Sequence, residues 1–144
     1  MNLSNQILKK ISDFLGQRNE VVFAYVFGSK LNGKTRYGSD LDIGVYFNED
    51  PDLLTVGELV IKLEEVTGQK IDLVKLNDLD KINPSLSYSV LDTGILICNN
   101  NEKILQEFKR SVILNFLDFD YARNLFDKAF KKRLLTNTFA VFDK

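Results

Sequence analysis

The stretch VVFAYVFGSKLNGKTRYGSDLDIGVYF, residues 21–47, contains two apolar runs around which the rest of the chain is organised. The first run is rich in β-branched and aromatic side chains, which predicts a buried strand over residues 20–27. A Gly-Ser pair, ten further residues and Asp40 precede the second run, residues 41–47, which predicts another strand. Two aspartates, Asp40 and Asp42, lie at the start of this second strand, where carboxylates are uncommon. The role of this acidic pair is the first question.

The composition indicates one soluble globular domain. The 144 residues are 44% hydrophobic and 27% charged, which permits a sizeable core and argues against disorder. The net charge of −1 gives no overall attraction to nucleic acid or to an anionic membrane, so we expect neither as a direct partner. No run approaches 18 apolar residues, and the N-terminal MNLSNQILKKI lacks the apolar segment of a signal peptide. We therefore expect a cytoplasmic protein.

The chain contains no histidine and one cysteine, Cys98. The absence of histidine excludes a histidine general base, a Ser-His-Asp triad and the usual zinc sites. A single cysteine excludes a disulfide within the chain, and Cys98 in GILIC is typical of a small buried apolar residue. Any chemistry must therefore use Asp, Glu, Lys, Arg, Tyr or Ser side chains, with or without a hard cation.

Helices and short strands alternate up to about residue 100, and the pattern is helical after it. Apolar periodicity and end signals predict helices over residues 4–16, 55–68 and 83–94, with Ser4 and Thr55 as N-caps, and strands over residues 70–76 and 95–98, the last short and at an edge. From residue 101 to about 135, phenylalanine and branched side chains recur mostly at three- to four-residue steps. We therefore predict an α/β (α+β) core over residues 1–100 and a helical tail over residues 101–144.

Three aspartates are candidates for a metal site. Because side chains alternate along a strand, Asp40 and Asp42 share one face, while Leu41 and Ile43 point to the other. Asp72 lies in the later strand KIDLVKL, and if the two strands are neighbours the three carboxylates converge at one end of a sheet. Like charges this close repel unless cations or protons neutralise them. An all-oxygen donor set favours Mg²⁺ or Mn²⁺, and two such ions about 3.5–4 Å apart can clamp a phosphoryl-type displacement.

The loop between the first two strands contains candidate phosphate-binding groups. Gly28 permits close approach of the backbone to a ligand, and Ser29 begins a turn whose N–H groups and hydroxyl can hold a phosphate. Lys34 and Arg36 can neutralise a triphosphate, and Ser39 adds a hydroxyl next to the acidic pair. A Gly-Ser turn and strand-end aspartates are each ordinary features when they occur alone. Their combination favours a nucleotide site.

These residues resemble the signature of a known family. In GSKLNGKTRYGSDLD, Gly-Ser, ten residues and Asp-x-Asp resemble the motif of the DNA polymerase β-like nucleotidyltransferase superfamily, and KIDLV resembles its third-carboxylate strand. The resemblance covers about residues 20–98. The small size and helical tail resemble most the MntA-type antitoxin nucleotidyltransferases of HEPN–MNT toxin–antitoxin systems. Leu31 and Asn32 stand where many of those proteins have Ala-Arg.

The resemblance implies a fold, a site and a reaction. The fold is a small mixed β-sheet with helices packed mainly on one face, a minimal nucleotidyltransferase core, followed by the tail. Gly28 and Ser29 hold the triphosphate of ATP, Asp40 and Asp42 coordinate two Mg²⁺ ions, and Asp72 completes the metal site and helps to deprotonate the attacking hydroxyl. The reaction transfers AMP to a tyrosine of a partner HEPN toxin.

Two other functions remain open from the sequence. One is nucleotidyl transfer to a small molecule such as an aminoglycoside, for which this chain offers few residues to enclose the substrate. The other is an antitoxin that acts by binding alone, which would have no reason to bear the electrostatic cost of clustered acids. The phenylalanine-rich tail is more typical of core than of interface, but it carries more apolar surface than one small sheet needs. Tyr121 and the basic run at residues 131–133 are candidates for a partner contact.

Overall fold

The computed structural model of the chain describes residues 5–28 and 40–136, which form five helices and four strands. In chain order these are α1 (Asn5–Gly16), β1 (Val21–Phe27), β2 (Leu41–Phe47), α2 (Leu53–Thr67), β3 (Ile71–Lys75), α3 (Leu79–Ile82), α4 (Pro84–Thr93), β4 (Ile95–Asn99) and α5 (Glu102–Thr136).

The four strands form one mixed sheet in the order β3-β2-β1-β4. β1 pairs antiparallel with both β2 and β4, whereas β2 and β3 run parallel and are connected through α2. The mixed sheet is confirmed, and so is the prediction that the short strand near residues 95–98 lies at an edge. The strands that follow the Gly-Ser pair and carry the aspartates, β2 and β3, are direct neighbours.

Helices cover both faces of the sheet. On one face, α1 and α2 bury Ile11, Leu15, Leu59 and Leu63 against the strands. On the other face, α3, α4 and the first turns of α5 contribute a second cluster, Leu79, Val90, Leu105, Phe108 and Val112.

This arrangement differs from the expected packing of helices mainly on one face. All seven residues of β1 are buried, whichever way their side chains point. A strand that is apolar at every position needs cover on both of its faces, because either exposed face would leave large apolar side chains in water. The continuous run VVFAYVF therefore already contained the signal for a two-sided core.

The ends of α2 show one correct and one wrong prediction. Gly68 terminates the helix in the left-handed conformation, with φ 69°, as expected of a C-terminal glycine. The N-cap, however, is Asp52, whose side chain accepts a hydrogen bond from the Thr55 backbone N–H at 2.8 Å. Thr55 itself lies inside the first turn, so the helix begins earlier than its sequence pattern indicated. The short α3 was not predicted at all.

The predicted C-terminal helix is confirmed as one continuous helix of 35 residues, α5. Its first turns belong to the core through Leu105, Phe108 and Val112. Asp80 of α3 is buried beneath it and accepts hydrogen bonds from the Ser111 hydroxyl at 2.8 Å and the Asn115 amide at 2.6 Å. The helix is therefore anchored by apolar and polar contacts near its start. None of the helices in the described ranges is long and apolar enough to cross a membrane.

Candidate active site

Three adjacent strands bring Gly28, Asp42 and Asp72 to one end of the sheet. Phe27, the last residue of β1, is the register partner of Asp42 in β2, and Gly28 follows it directly. Asp42 in turn is the register partner of Asp72 in the parallel strand β3. Register partners lie side by side on the same face of a sheet. The sequence separation of thirty residues between the two aspartates is thus closed by strand pairing.

Gly28 is in direct contact with the carboxylate of Asp42. Its φ of 96° lies in the region that glycine favours. A Cβ built on Gly28 would overlap the Oδ2 atom of Asp42 and lie 3.0 Å from its Cγ. No other amino acid fits this position without displacing the carboxylate. The glycine of the Gly-Ser pair is therefore required by its neighbour in the next strand as well as by the turn.

The face of the sheet on which the carboxylates lie follows from strand alternation. Leu41 and Ile43 are fully buried on the side of α1 and α2, which confirms their predicted inward orientation. Asp42 lies on the opposite face, which it shares with Phe27. Asp42 is half-buried, whereas Asp40 and Asp72 are exposed. Two of the three candidate ligands are thus open to solvent and to a charged ligand.

The donor set fits a hard divalent cation. Asp40, Asp42 and Asp72 offer only carboxylate oxygens, which Mg²⁺ and Mn²⁺ prefer. Across residues 5–28 and 40–136, no three acidic or cysteine side chains are grouped closely enough to form a ready-made metal site. Mutual repulsion keeps uncompensated carboxylates apart, so a bound cation would be needed to draw these three together. The metal-binding role of the three aspartates remains a prediction.

The start of β3 is held from both sides. On the side of β2, the Leu41 backbone N–H donates to the Lys70 carbonyl at 2.8 Å. On the outer side, the Ile71 N–H donates to the Glu64 carboxylate of α2 at 3.1 Å. Ile71 directly precedes Asp72, so both bonds fix the backbone beside the candidate ligand. An edge strand would otherwise leave this N–H without a protein partner.

The far end of the same strand pair is closed by Asn77. Its side-chain oxygen accepts from the Phe47 N–H at 2.9 Å, and its amide donates to the Phe47 carbonyl at 2.8 Å. The amide thus satisfies both backbone groups of the last residue of β2. Sequence analysis did not single out Glu64 or Asn77. Neither belongs to a motif, and their partners lie seven and thirty residues away, so no local pattern indicates them.

Four predicted nucleotide contacts lie outside the described residues. These are Ser29, Lys34, Arg36 and Ser39. Their roles remain predictions, as does that of Gly28 as a phosphate contact. What the structure adds is the close approach of Gly28 to Asp42, which places the start of this loop against the acidic end of the sheet.

The family model for polymerase β nucleotidyltransferases matches residues 9–103, about two thirds of the chain. The chain belongs to this nucleotidyltransferase family. The match spans β1 to β4, so it contains every strand of the sheet and all three aspartates.

This nucleotidyltransferase is similar to a protein adenylyltransferase and to solved toxin–antitoxin structures. A candidate protein adenylyltransferase of Methanocaldococcus jannaschii, MJ0435, is 35% identical over 95 residues, which are 66% of this chain and 97% of that protein. Among solved structures, a mutant of the toxin–antitoxin MntA–HpeT has a TM-score of 0.67 at 22% identity, over 90% of this chain and 99% of that one. A complex of the tri-AMPylated Shewanella oneidensis HEPN toxin with its MNT antitoxin has a TM-score of 0.60 at 22% identity, over 88% and 94%. At these identities the solved structures confirm the fold.

Proposed function

We propose that this nucleotidyltransferase transfers AMP from ATP to a tyrosine hydroxyl of a HEPN-type toxin and acts as its antitoxin. The observation that carries the proposal is the meeting of Gly28, Asp42 and Asp72 across three neighbouring strands. A glycine lies against one carboxylate, and a second carboxylate lies beside it in register. The repulsion between the two carboxylates lowers stability, which an antitoxin that acts only by binding its partner has no reason to retain. The arrangement suits a site where cations and phosphates meet.

Asp40, Asp42 and Asp72 would hold two Mg²⁺ ions. When bound, these ions supply charge neutralisation for the triphosphate and stabilise the attacking and leaving oxygens. The backbone at Gly28 and Ser29 would contact the triphosphate, with Lys34, Arg36 and Ser39 as further contacts. A site of this kind works mainly by positioning and by electrostatic stabilisation, because phosphoryl-type transfer needs little other help from the protein.

The reaction conserves every atom of its reactants. The hydroxyl oxygen of the acceptor forms a bond to the α-phosphorus of ATP, and the bond from that phosphorus to the oxygen bridging to the β-phosphate breaks. Pyrophosphate leaves with the electrons of the broken bond. The proton of the acceptor hydroxyl passes to a base, for which exposed Asp72 is the candidate.

The comparisons support a protein acceptor. A relative matched over nearly its whole length is a candidate protein adenylyltransferase, and a neighbour in fold is complexed with an AMPylated HEPN toxin. A tyrosine acceptor and dependence on Mg²⁺ are our extension of these similarities. Transfer of AMP to a tyrosine of the toxin would add a bulky anionic group, and an added negative charge can disrupt a neighbouring site by repulsion and desolvation.

The test uses the full chain, Mg²⁺, ATP labelled at the α-phosphate and the product of the neighbouring gene as the candidate HEPN protein. We expect label on the HEPN protein, on a tyrosine identified by mass spectrometry. The double substitution Asp40→Asn and Asp42→Asn should lower transfer at least roughly 10³-fold, because metal ions supply several kcal/mol to such transition states. The melting temperature should not fall, since the change removes like charges.

Three outcomes would count against the proposal. Transfer that survived the double substitution would rule out these aspartates as the catalytic centre. Label that appeared only on a small-molecule acceptor would move the enzyme to another substrate class. Neutralisation of the toxin by the unlabelled double variant would favour an antitoxin that acts by binding.

A further inference from the structure

Beyond Val112, α5 carries apolar side chains that the core does not cover. Four of them, Leu114, Leu117, Tyr121 and Leu125, are 51%, 55%, 67% and 49% exposed. Their spacing of three, four and four residues places them in one line along the helix, since each residue advances about 100°. We call these four side chains the distal stripe.

The distal stripe faces away from the sheet. The side chains of α5 that pack into the core, Leu105, Phe108 and Val112, are buried and set the inward face of the helix. Counted at about 100° per residue, the distal stripe lies on roughly the opposite side of the helix. The core formed by residues 5–28 and 40–136 therefore cannot cover it without a rotation of the whole helix.

The inward face remains apolar beyond the core as well. Phe116 stacks on Tyr88 of α4, with ring centroids 4.2 Å apart, and marks the last aromatic contact between α5 and the rest of the described chain. Further along, Phe119 and Phe126 are 41% and 69% exposed. A helix that is apolar on two opposite faces is normally enclosed by other protein. Beyond Val112, α5 thus has more apolar surface than a free surface helix usually shows.

Most of α5 belongs to the fold that this chain shares with a solved toxin–antitoxin structure. The MntA–HpeT structure matches 90% of this chain. The unmatched tenth is much shorter than α5, so that match includes more than half of the helix.

We propose that the distal stripe docks an amphipathic helix of the toxin and holds it on the enzyme that modifies it. The inference rests on the proposed function for the identity of the partner. A shallow groove of about 320 Å³ lies at the near end of the stripe, between Glu107, Arg110 and Leu114. Another of about 470 Å³ lies at the far end, beside Tyr121, Leu125 and Lys128.

The two grooves define the chemistry of the docked helix. Its apolar side chains fill the line between them, as in other complexes in which a helix lies along a hydrophobic surface. Its ends meet charged side chains of both signs, Glu107 and Arg110 at one end and Asp127 and Lys128 at the other, which favours polar and charged groups at the ends of the docked helix. Tyr121 is the most exposed member of the stripe and the type of side chain that dominates such contacts.

The test compares two double substitutions in the full chain. Leu117→Glu with Leu125→Glu places charge on the distal stripe. Leu53→Glu with Leu54→Glu places the same change on α2, where both leucines are still more exposed, at 87% and 84%. Affinity for the HEPN protein is measured by calorimetry without ATP, so that the result does not depend on catalysis. We expect at least about tenfold weaker binding for the stripe variant and the parent affinity for the α2 variant.

Kinetics separate docking from chemistry. With ATP and Mg²⁺, the stripe variant should show a raised KM for the toxin and a nearly unchanged kcat, because no substituted residue contacts the candidate site. Circular dichroism checks the fold, and Leu117→Ser with Leu125→Ser replaces the glutamate pair if the melting temperature falls. Parent-like toxin binding by the stripe variant would overturn the docking proposal alone. Absence of AMP from the toxin in a complex that still forms would overturn the proposed reaction alone.

Discussion

The two ends of the β2–β3 pair are built from similar polar residues but are used differently. At the far end, Asn77 exchanges two hydrogen bonds with the backbone of Phe47, so the side chain is satisfied inside the chain. At the near end, the side chains of Asp40 and Asp72 are exposed and make no hydrogen bond or ion pair with other described residues. One end completes the fold, and the other presents two exposed carboxylates to solvent or to a ligand.

The difference shows which end of the strand pair stabilises this nucleotidyltransferase and which end does not. A polar side chain that satisfies two backbone groups stabilises a sheet, since unpaired groups in a part-buried place are unfavourable. Side-by-side carboxylates do the opposite and repel. Substitutions at the far end should therefore change stability, and substitutions at the near end should change activity. This separation can be tested from both sides.

Among the substitutions that test the two ends of the strand pair, Gly28→Ala is expected to have the largest effect. A Cβ would displace the Asp42 carboxylate and would sit at a positive φ, so we expect at least roughly a 10²-fold loss of transfer and about 1–2 kcal/mol of lost stability. Radiolabel incorporation and urea unfolding measure the two effects.

A matched glycine gives the control for that change. A Cβ on Gly57, within α2, meets nothing within 4 Å. Gly57→Ala should therefore leave transfer unchanged and raise the free energy of unfolding by about 0.5–1 kcal/mol, because alanine has the better helix propensity. Equal losses of activity in both variants would show that Gly28 has no special role.

The second test addresses the far end. Asn77→Ala leaves the N–H and carbonyl of Phe47 without their partner and should lower the free energy of unfolding by about 1–3 kcal/mol. Transfer by the remaining folded protein should stay within about twofold of the parent. Asn48→Ala, which removes one exposed bond to the Asn19 carbonyl, should have a smaller effect on urea unfolding. A large loss of kcat in Asn77→Ala would contradict the division of roles between the two ends.

The smallest effect is expected at Glu64, which supports β3 beside Asp72. Glu64→Ala should speed hydrogen exchange of the Ile71 amide and lower transfer by about tenfold or less. Glu64→Gln keeps an oxygen acceptor and should restore most of both. Glu65→Ala, an exposed neighbour on the same helix, serves as the control. Unchanged exchange at Ile71 in Glu64→Ala would show that the bond does not hold the strand.

Most of the secondary structure could be predicted because its signals are local. Apolar runs, glycine stops and alternation placed all four strands and three of the core helices within a few residues. The errors were also local: Asp52 rather than Thr55 caps α2, and the short α3 has no strong pattern of its own. Helix packing on both faces of the sheet was not predicted, because it depends on all seven residues of β1 being buried together.

The candidate site likewise contains residues that a local motif predicts and residues that no local pattern predicts. Gly-Ser, ten residues and Asp-x-Asp are close in sequence, so a motif can hold them together, and the family match covers them. Glu64 and Asn77 support the same strands from positions that no motif includes. Their partners are backbone atoms, which every residue has, so the identity of the partner leaves no trace in the sequence.

The amino-acid sequence by itself determined which chemistry is open to this protein. A chain with no histidine, three aspartates in or directly before strands and a Gly-Ser turn can bring oxygen ligands to phosphates and little else. Only the tertiary structure decided that Asp42 lies between Gly28 and Asp72, and that α5 extends apolar surface beyond its own core. The physical reason is that residue types are set one by one, whereas register and burial depend on the simultaneous packing of segments far apart in the chain.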